Sequence, residues 1–157
     1  MGAHVTPMVR IQREDFDANS EIARLTAGRG DVGAVVTFTG YCRDEGGKLS
    51  ALELEHYPGM AEAEISRIAS RAAERWPVTG LTAIHRYGKI APGGQIVLVV
   101  AASPHRQAAF EAAEFLMDYL KSRAPFWKKE ATPEGGRWVD ARDTDEAALA
   151  RWARSGA

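Results

Sequence analysis

Between Leu120 and Gly135 the chain reads LKSRAPFWKKEATPEG. Four cations, Lys121, Arg123, Lys128 and Lys129, fall within nine positions around the apolar block Ala124-Pro125-Phe126-Trp127. Lysines held close together repel, and repulsion lowers an amine's pKa toward the range where it works as acid, base or nucleophile near neutral pH. The same residues also suit a solvated helix end, where cations oppose the negative pole of the helix dipole. Spacing alone leaves both readings open. In an extended FWKKE segment, Phe126, Lys128 and Glu130 share one face, and Trp127 and Lys129 the other.

Other polar residues could contribute. His105 and Arg106 follow Ser103-Pro104 in what reads as the first turn of a long helix, where free N–H groups and the dipole favour a phosphate or carboxylate. A solvated helix start is the competing reading. Arg43 closes the run VTFTGYCR ahead of the glycine-bearing loop DEGGK; strand ends beside loops often carry function, and lone arginines there often only form surface ion pairs. Cys42 is next to Arg43, whose charge could lower the thiol pKa, against inert packing as the plainer reading. His56 and His85 lie on separate strands, lack the neighbouring ligands a metal site needs, and read as structural. No phosphate-binding loop, dinucleotide fingerprint or Ser-His-Asp arrangement is visible.

These residues must be positioned by the elements between them. The 157-residue chain is 45% hydrophobic and 26% charged, the balance of one globular domain with its own core. A formal net charge of -1 gives no bulk attraction to nucleic acid, so any anion binding is local. The single cysteine permits no internal disulfide, and no apolar run is long enough to span a membrane, so a cytoplasmic location is expected. Residues 1–8 read as a flexible leader and 9–157 as a single domain. A strand is expected at Val9–Ile11, then a helix capped by Asn19 or Ser20 and ending near Ala27. VGAVVTFTGYCR has the β-branched content of a buried strand, and LSALELEHY alternates as a strand with one wet face. AEAEISRIASRAAERW is an amphipathic helix ended by Pro77. LTAIHRYGKI and QIVLVVAAS read as two strands about the turn APGG.

The next helix is expected from a Ser103 cap and Pro104 to about Arg123. Ala108, Ala112, Phe115, Leu116, Tyr119 and Leu120 form its core stripe. A second line, Phe110, Glu114, Met117 and Lys121, lies nearly opposite. FWKKEAT and RWV are extended, and DTDEAALARW is a last helix capped by Asp143 or Thr144. Strands mixed with hairpins and three to four helices make an α+β fold with mostly antiparallel pairing.

Taken together, VTFTGYCR, LELEHYPGM, IHRYG and the run from SPHRQAAFEAAEFLMDYLKSRAPFWKKEATPEGG to RWVDAR closely resemble the large, catalytic subunit family of molybdopterin synthase, over roughly residues 9 to 154. The resemblance implies an α/β hammerhead-type fold and an enzyme of molybdenum cofactor synthesis. Such enzymes convert cyclic pyranopterin monophosphate to molybdopterin by installing two sulfurs as a dithiolene. It implies a small ubiquitin-like sulfur-carrier subunit whose C-terminal Gly-Gly thiocarboxylate threads into the large subunit. It also implies a homodimer that binds one carrier at each end as a heterotetramer, and no cofactor or metal of its own. Lys121 of DYLK and Lys128 of FWKKE match the catalytic pair. Arg43, His105 and Arg106 match the substrate-anion site, extended by Lys129 and Glu130 beside the second lysine and by Tyr41 and Cys42 beside the arginine. Arg142 of WVDAR matches an arginine supplied across the dimer. Tyr41-Cys42 departs from the smaller or basic pair more usual in the family, so backbone rather than side-chain contacts are expected there. With lysines absorbed by that match, Phe110 and Met117 are expected to line a groove toward Lys121. A competing class, a cation-and-aromatic surface that stacks nucleotides or single-stranded nucleic acid on Phe126 and Trp127, predicts steeply salt-dependent oligonucleotide binding.

Overall fold

The computed structural model describes residues 5–44, 46, 51–123, 126–132, 135–139 and 143–154. In chain order the elements are β1 (Met8–Gln12), α1 (Ala18–Thr26), β2 (Ala34–Tyr41), β3 (Ala51–His56), α2 (Met60–Arg75), β4 (Gly80–Arg86), β5 (Gly88–Ile90), β6 (Gln95–Ser103), α3 (Arg106–Arg123), β7 (Phe126–Thr132), β8 (Gly135–Val139) and α4 (Asp143–Arg154). They build two four-stranded sheets, ordered β1-β4-β6-β2 and β5-β3-β7-β8. Only β1 with β4 is parallel among the described pairs; the rest are antiparallel. The fold is α+β, as expected from the mixture of hairpins and helices. Among the described residues no helix is long and apolar enough to cross a membrane.

β6 explains the first sheet. Its nine residues contain no charge because the strand is central and covered on both faces. Val97, Val99 and Ala101 join Leu81 and Ala83 of β4 under α2 and α3, while Leu98 and Val100 meet Ile84, Phe16 and α1 on the other side. β3 keeps the period of 2: Leu52 and Leu54 are buried and pack with Ile90 and Cys42 in a second, smaller core.

Several expectations change. α1 is capped by Asp17, whose carboxylate accepts from the Asn19 N–H at 3.2 Å and the Ser20 hydroxyl at 2.8 Å; Asn19 and Ser20 lie inside the first turn. β2 is an edge strand, not a buried one, and Thr37, Phe38 and Tyr41 are exposed. β-branched residues suit either position, because what they need is one packed face. LTAIHRYGKI divides at Tyr87 into β4 of the first sheet and β5 of the second; Gly88, at φ +89°, takes the left-handed conformation that lets the chain change sheets. Ser103 ends β6 rather than capping α3, and its hydroxyl donates to the His105 carbonyl. α3 therefore starts at Arg106. The approach here is close: a Cβ on Gly33 would stand 2.1 Å from the Pro104 carbonyl oxygen, so only glycine fits. α4 begins at Asp143 itself, and residues 140–142 before it lie outside the described residues.

Candidate active site

Strand directions decide what can meet. β6 starts at Gln95 opposite Tyr41 and ends at Ser103 opposite Ala34, after which α3 runs back along the sheet. The C-terminal end of α3 therefore returns to the edge where β2 ends, β4 ends and β6 begins. In one row across that edge stand Ile11, His85, Val97 and Gly40. His85 has the parity of Leu81 and Ala83, which places it on the face covered by α3.

β7 meets this edge from the second sheet. Its register on β3 pairs Phe126 with His56, Lys128 with Leu54, Lys129 with Glu53 and Glu130 with Leu52. Phe126, Lys128 and Glu130 thus share the face of buried Leu52 and Leu54, as the alternation of FWKKE requires. Phe126 stacks on His85 with centroids 3.8 Å apart and planes 16° from parallel, and His56 lies 5.8 Å beyond, itself tilted against Tyr87. Burial pushes the His85 imidazole down to about 4, a contact with the Arg86 carbonyl opposes this, and the charges of Lys128, Lys121 and His56 push the same way as burial. Both lysines are therefore within electrostatic reach of one ring, although they come from different elements. Lys121 is exposed at the helix end and Lys128 is partly buried in the strand. His56 and His85, expected to be structural, pack in a ring cluster with Tyr87 and Phe126.

The residues at the end of β2 are held by a turn. The Cys42 N–H donates to the Gly94 carbonyl at 2.8 Å, and the Gly93 N–H donates back to the Cys42 carbonyl at 2.6 Å. Cys42 is buried, and its thiol is raised by burial first and then by the negative charges of Asp44 and Glu130, against a hydrogen bond from the Leu52 backbone. Cys42 packs with Leu52, Leu54 and Ile90, which fits the plainer of its two readings, inert packing, and its thiol is raised where activation by Arg43 would have lowered it. Tyr41 and Arg43 are exposed at the same end of the first sheet as Lys121. Lys129 occupies its place in the β7 backbone, but its side chain lies outside the described residues, as does the whole of Arg142.

His105 and Arg106 are not part of this group within one chain. They are exposed at the start of α3, beside Gly33 and the beginning of β2. Fifteen residues of helix separate Arg106 from Lys121, roughly 22 Å at the rise of an α-helix. The second line of α3 also differs from expectation. Met117 is in the core, Phe110 is 58% exposed, and Glu114 pairs with Arg151 of α4 at 2.7 Å. Of that line Glu114 meets α4, Met117 packs in the core and Phe110 faces outward.

An open hollow of about 500 Å³ lies beside the lysine end, lined by Glu55, His56, Tyr57 and Trp127. Trp127, 40% exposed, meets Tyr57 edge-on at 4.5 Å. It points to the opposite face of β7 from Lys128, so this hollow is aromatic with a carboxylate on its rim, and it does not contain the lysine pair.

Fold and site together define a class: an α+β protein of two four-stranded sheets whose candidate lysines, one from a helix end and one from a strand, both act electrostatically on one buried histidine. The chain belongs to the MoaE protein family, whose model matches residues 11–123. It is 71% identical to a molybdopterin synthase catalytic subunit of Mesorhizobium japonicum, covering 99% of each chain. Among solved structures it resembles the molybdopterin biosynthesis MoaE protein of Burkholderia ambifaria (51% identity, TM-score 0.81, covering 94% of this chain and 98% of that one). It shares the fold of a protein–protein complex of subunits 1 and 2 of molybdopterin-converting factor from Helicobacter pylori (22% identity, TM-score 0.70, covering 85% and 91%).

Proposed function

We propose that this chain is the catalytic subunit of a molybdopterin synthase. It moves sulfur from the C-terminal thiocarboxylate of a small ubiquitin-like carrier onto cyclic pyranopterin monophosphate, in molybdenum cofactor biosynthesis. The carrying observation is that β7, bearing Lys128, is stacked through Phe126 on His85 at the end of the first sheet to which α3 returns with Lys121, so that both lysines lie within electrostatic reach of one ring. Sulfur transfer needs a proton moved at the reacting carbon, a carbonyl polarised on the carrier's tail, and charge neutralised as the cyclic phosphate opens. Lys121, on the exposed helix end, does the acid–base work; Lys128, held in β7, stabilises the phosphate or thiocarboxylate. Arg43 adds a cation at the same end. Glu130 and the backbone of Tyr41 and Cys42 shape the wall beside them.

His105 and Arg106 enter through assembly. A phosphate at the lysine end is out of their reach within one protomer, by the length of α3. A second copy whose α3 starts at the lysine end of the first supplies both, and Arg142 belongs to the same partner-contributed set. This fits a homodimer core with one carrier subunit at each end. The nucleotide-stacking alternative finds no support in the geometry, since the exposed Trp127 faces away from Lys128 and toward Tyr57 and the Glu55 rim.

Single-turnover sulfur transfer from a thiocarboxylated carrier to cyclic pyranopterin monophosphate tests the reading. Lys121→Ala and Lys128→Ala each lose transfer; wild-type rates in both would remove the catalytic assignment.

A further inference from the structure

His85 has no step in the chemistry above, yet the charges of both lysines reach its ring. Its Nδ1 lies 2.8 Å from the Arg86 carbonyl oxygen. A carbonyl only accepts, so Nδ1 carries the proton, and in the neutral ring Nε2 keeps its lone pair. The acceptor is fixed: Arg86 pairs with Gln12 in the sheet, and its guanidinium donates from Nε to the Arg13 carbonyl at 3.0 Å and from Nη1 to the Gln95 carbonyl at 2.7 Å. The opposite constraint is Phe126, stacked on the ring and two residues before Lys128 on the same face of β7. The charged or titratable groups acting on the ring are Lys128, Lys121 and His56.

We infer that His85 is a positioning residue for the lysine pair: anchored to the Arg86 carbonyl and stacked on Phe126, its ring sets where Lys128 stands relative to Lys121. The inference rests on the sulfur-transfer reading of that pair. A ring anchored at Arg86 and stacked on β7 ties the first sheet to the strand that carries Lys128. An imidazole that stays neutral through the physiological range adds no further positive charge beside the two lysines.

The test uses the full chain with its thiocarboxylated carrier. His85→Phe keeps a flat ring against Phe126 but has no nitrogen. It lowers the single-turnover rate roughly 10- to 100-fold, the scale of a small misplacement of catalytic groups, with KM nearly unchanged. It also shifts the lysine-dependent limb of the pH–rate profile, because the repulsion between two ammonium groups changes with the distance between them. A purely structural role would lower the melting temperature and leave the shape of the profile alone. Nitrogen-15 NMR of the unmodified chain, independent of any variant's folding, shows His85 as the Nδ1–H tautomer and uncharged down to about pH 5, a unit above its titration near 4. A wild-type rate and superimposable profile in His85→Phe, or a His85 that titrates near its ordinary value, overturns the inference. Lys121→Ala and Lys128→Ala run alongside separate the two claims. If both lose transfer while His85→Phe does not, only the positioning role fails; if both transfer at wild-type rate, the sulfur-transfer reading fails and takes this inference with it.

Discussion

Two regions along α3 use the same ingredients, cations and aromatic rings, to opposite ends. Where α4 docks, every ingredient closes on another. The Arg75 guanidinium lies 5.0 Å from the Trp76 ring centroid and 5.6 Å from those of Phe115 and Trp152. The Trp76 indole N–H donates to Glu111 and that of Trp152 to Asp118, while Arg151 reaches Glu114 at 2.7 Å and Asp118 at 3.0 Å. At the lysine end the rings are stacked on each other, His85 on Phe126, and the charges of Lys128 and Lys121 both push the His85 imidazole down. Rings that clasp a guanidinium hold two helices together; rings that stack on each other join the two sheets beside the lysines.

The largest effects separate the regions by what they measure. Lys128→Ala and Lys121→Ala are expected to cut single-turnover sulfur transfer by roughly 10²- to 10⁴-fold, the usual worth of a general acid–base group. Thermal stability should hardly move, since Lys121 is exposed and Lys128 only partly buried. Trp152→Ala does the reverse. The indole is buried against Trp76 and Phe115, so its loss is expected to cost about 3–5 kcal/mol in urea denaturation. At a temperature where the variant is still folded, its transfer rate should match the parent's. A clasp variant that loses activity while fully folded would break the contrast.

The pH dependence of stability sharpens it. Unfolded His85 takes a proton near 6.5, but folded His85 does so only near 4. Between those values the unfolded chain binds more protons, so stability falls as pH drops from about 6.5 to about 4, by up to about 3 kcal/mol. Asp15, lowered by its hydrogen bond to Gln95, also loses stability on acidification, but only as pH falls through its depressed folded value, below that window. Urea titrations at pH 7, 5.5 and 4.5 should show a steeper loss in the parent chain than in His85→Phe. Equal slopes would mean that the ring is already charged in the folded state.

What was legible beforehand follows from the range of each interaction. The unbroken apolar run of β6 and the alternation of β3 report burial of their own residues, and both appear in the structure where expected. The exposure of β2 does not follow from its sequence, because a β-branched run fits an edge strand as well as a central one. Lys121 and Lys128 stood out by type and family pattern, and α3 itself fixes how far Arg106 is from them. His85 was missed as a neighbour of the pair. Its parity on β4 could have placed it on the α3 face, but its stacking with Phe126 joins two sheets, and nothing local encodes that register.

The smallest expected effect probes the clasp from outside. Arg151 sits 47% exposed and bridges Glu114 and Asp118, so its geometry looks strong while its surroundings are wet. Solvent screening and the entropy of ordering a long side chain leave such a bridge about 0.2–1 kcal/mol. Asp118 also accepts from the Trp152 indole and keeps that partner when the arginine is gone. Arg151→Ala is therefore expected to lower stability by less than about 1 kcal/mol, and by still less in 1 M salt, where the Debye length shrinks to about 3 Å. A loss approaching that of Trp152→Ala would mean that the ion pairs, and not the buried rings, hold α4 to α3, and the clasp would then differ from the lysine end in degree rather than in kind.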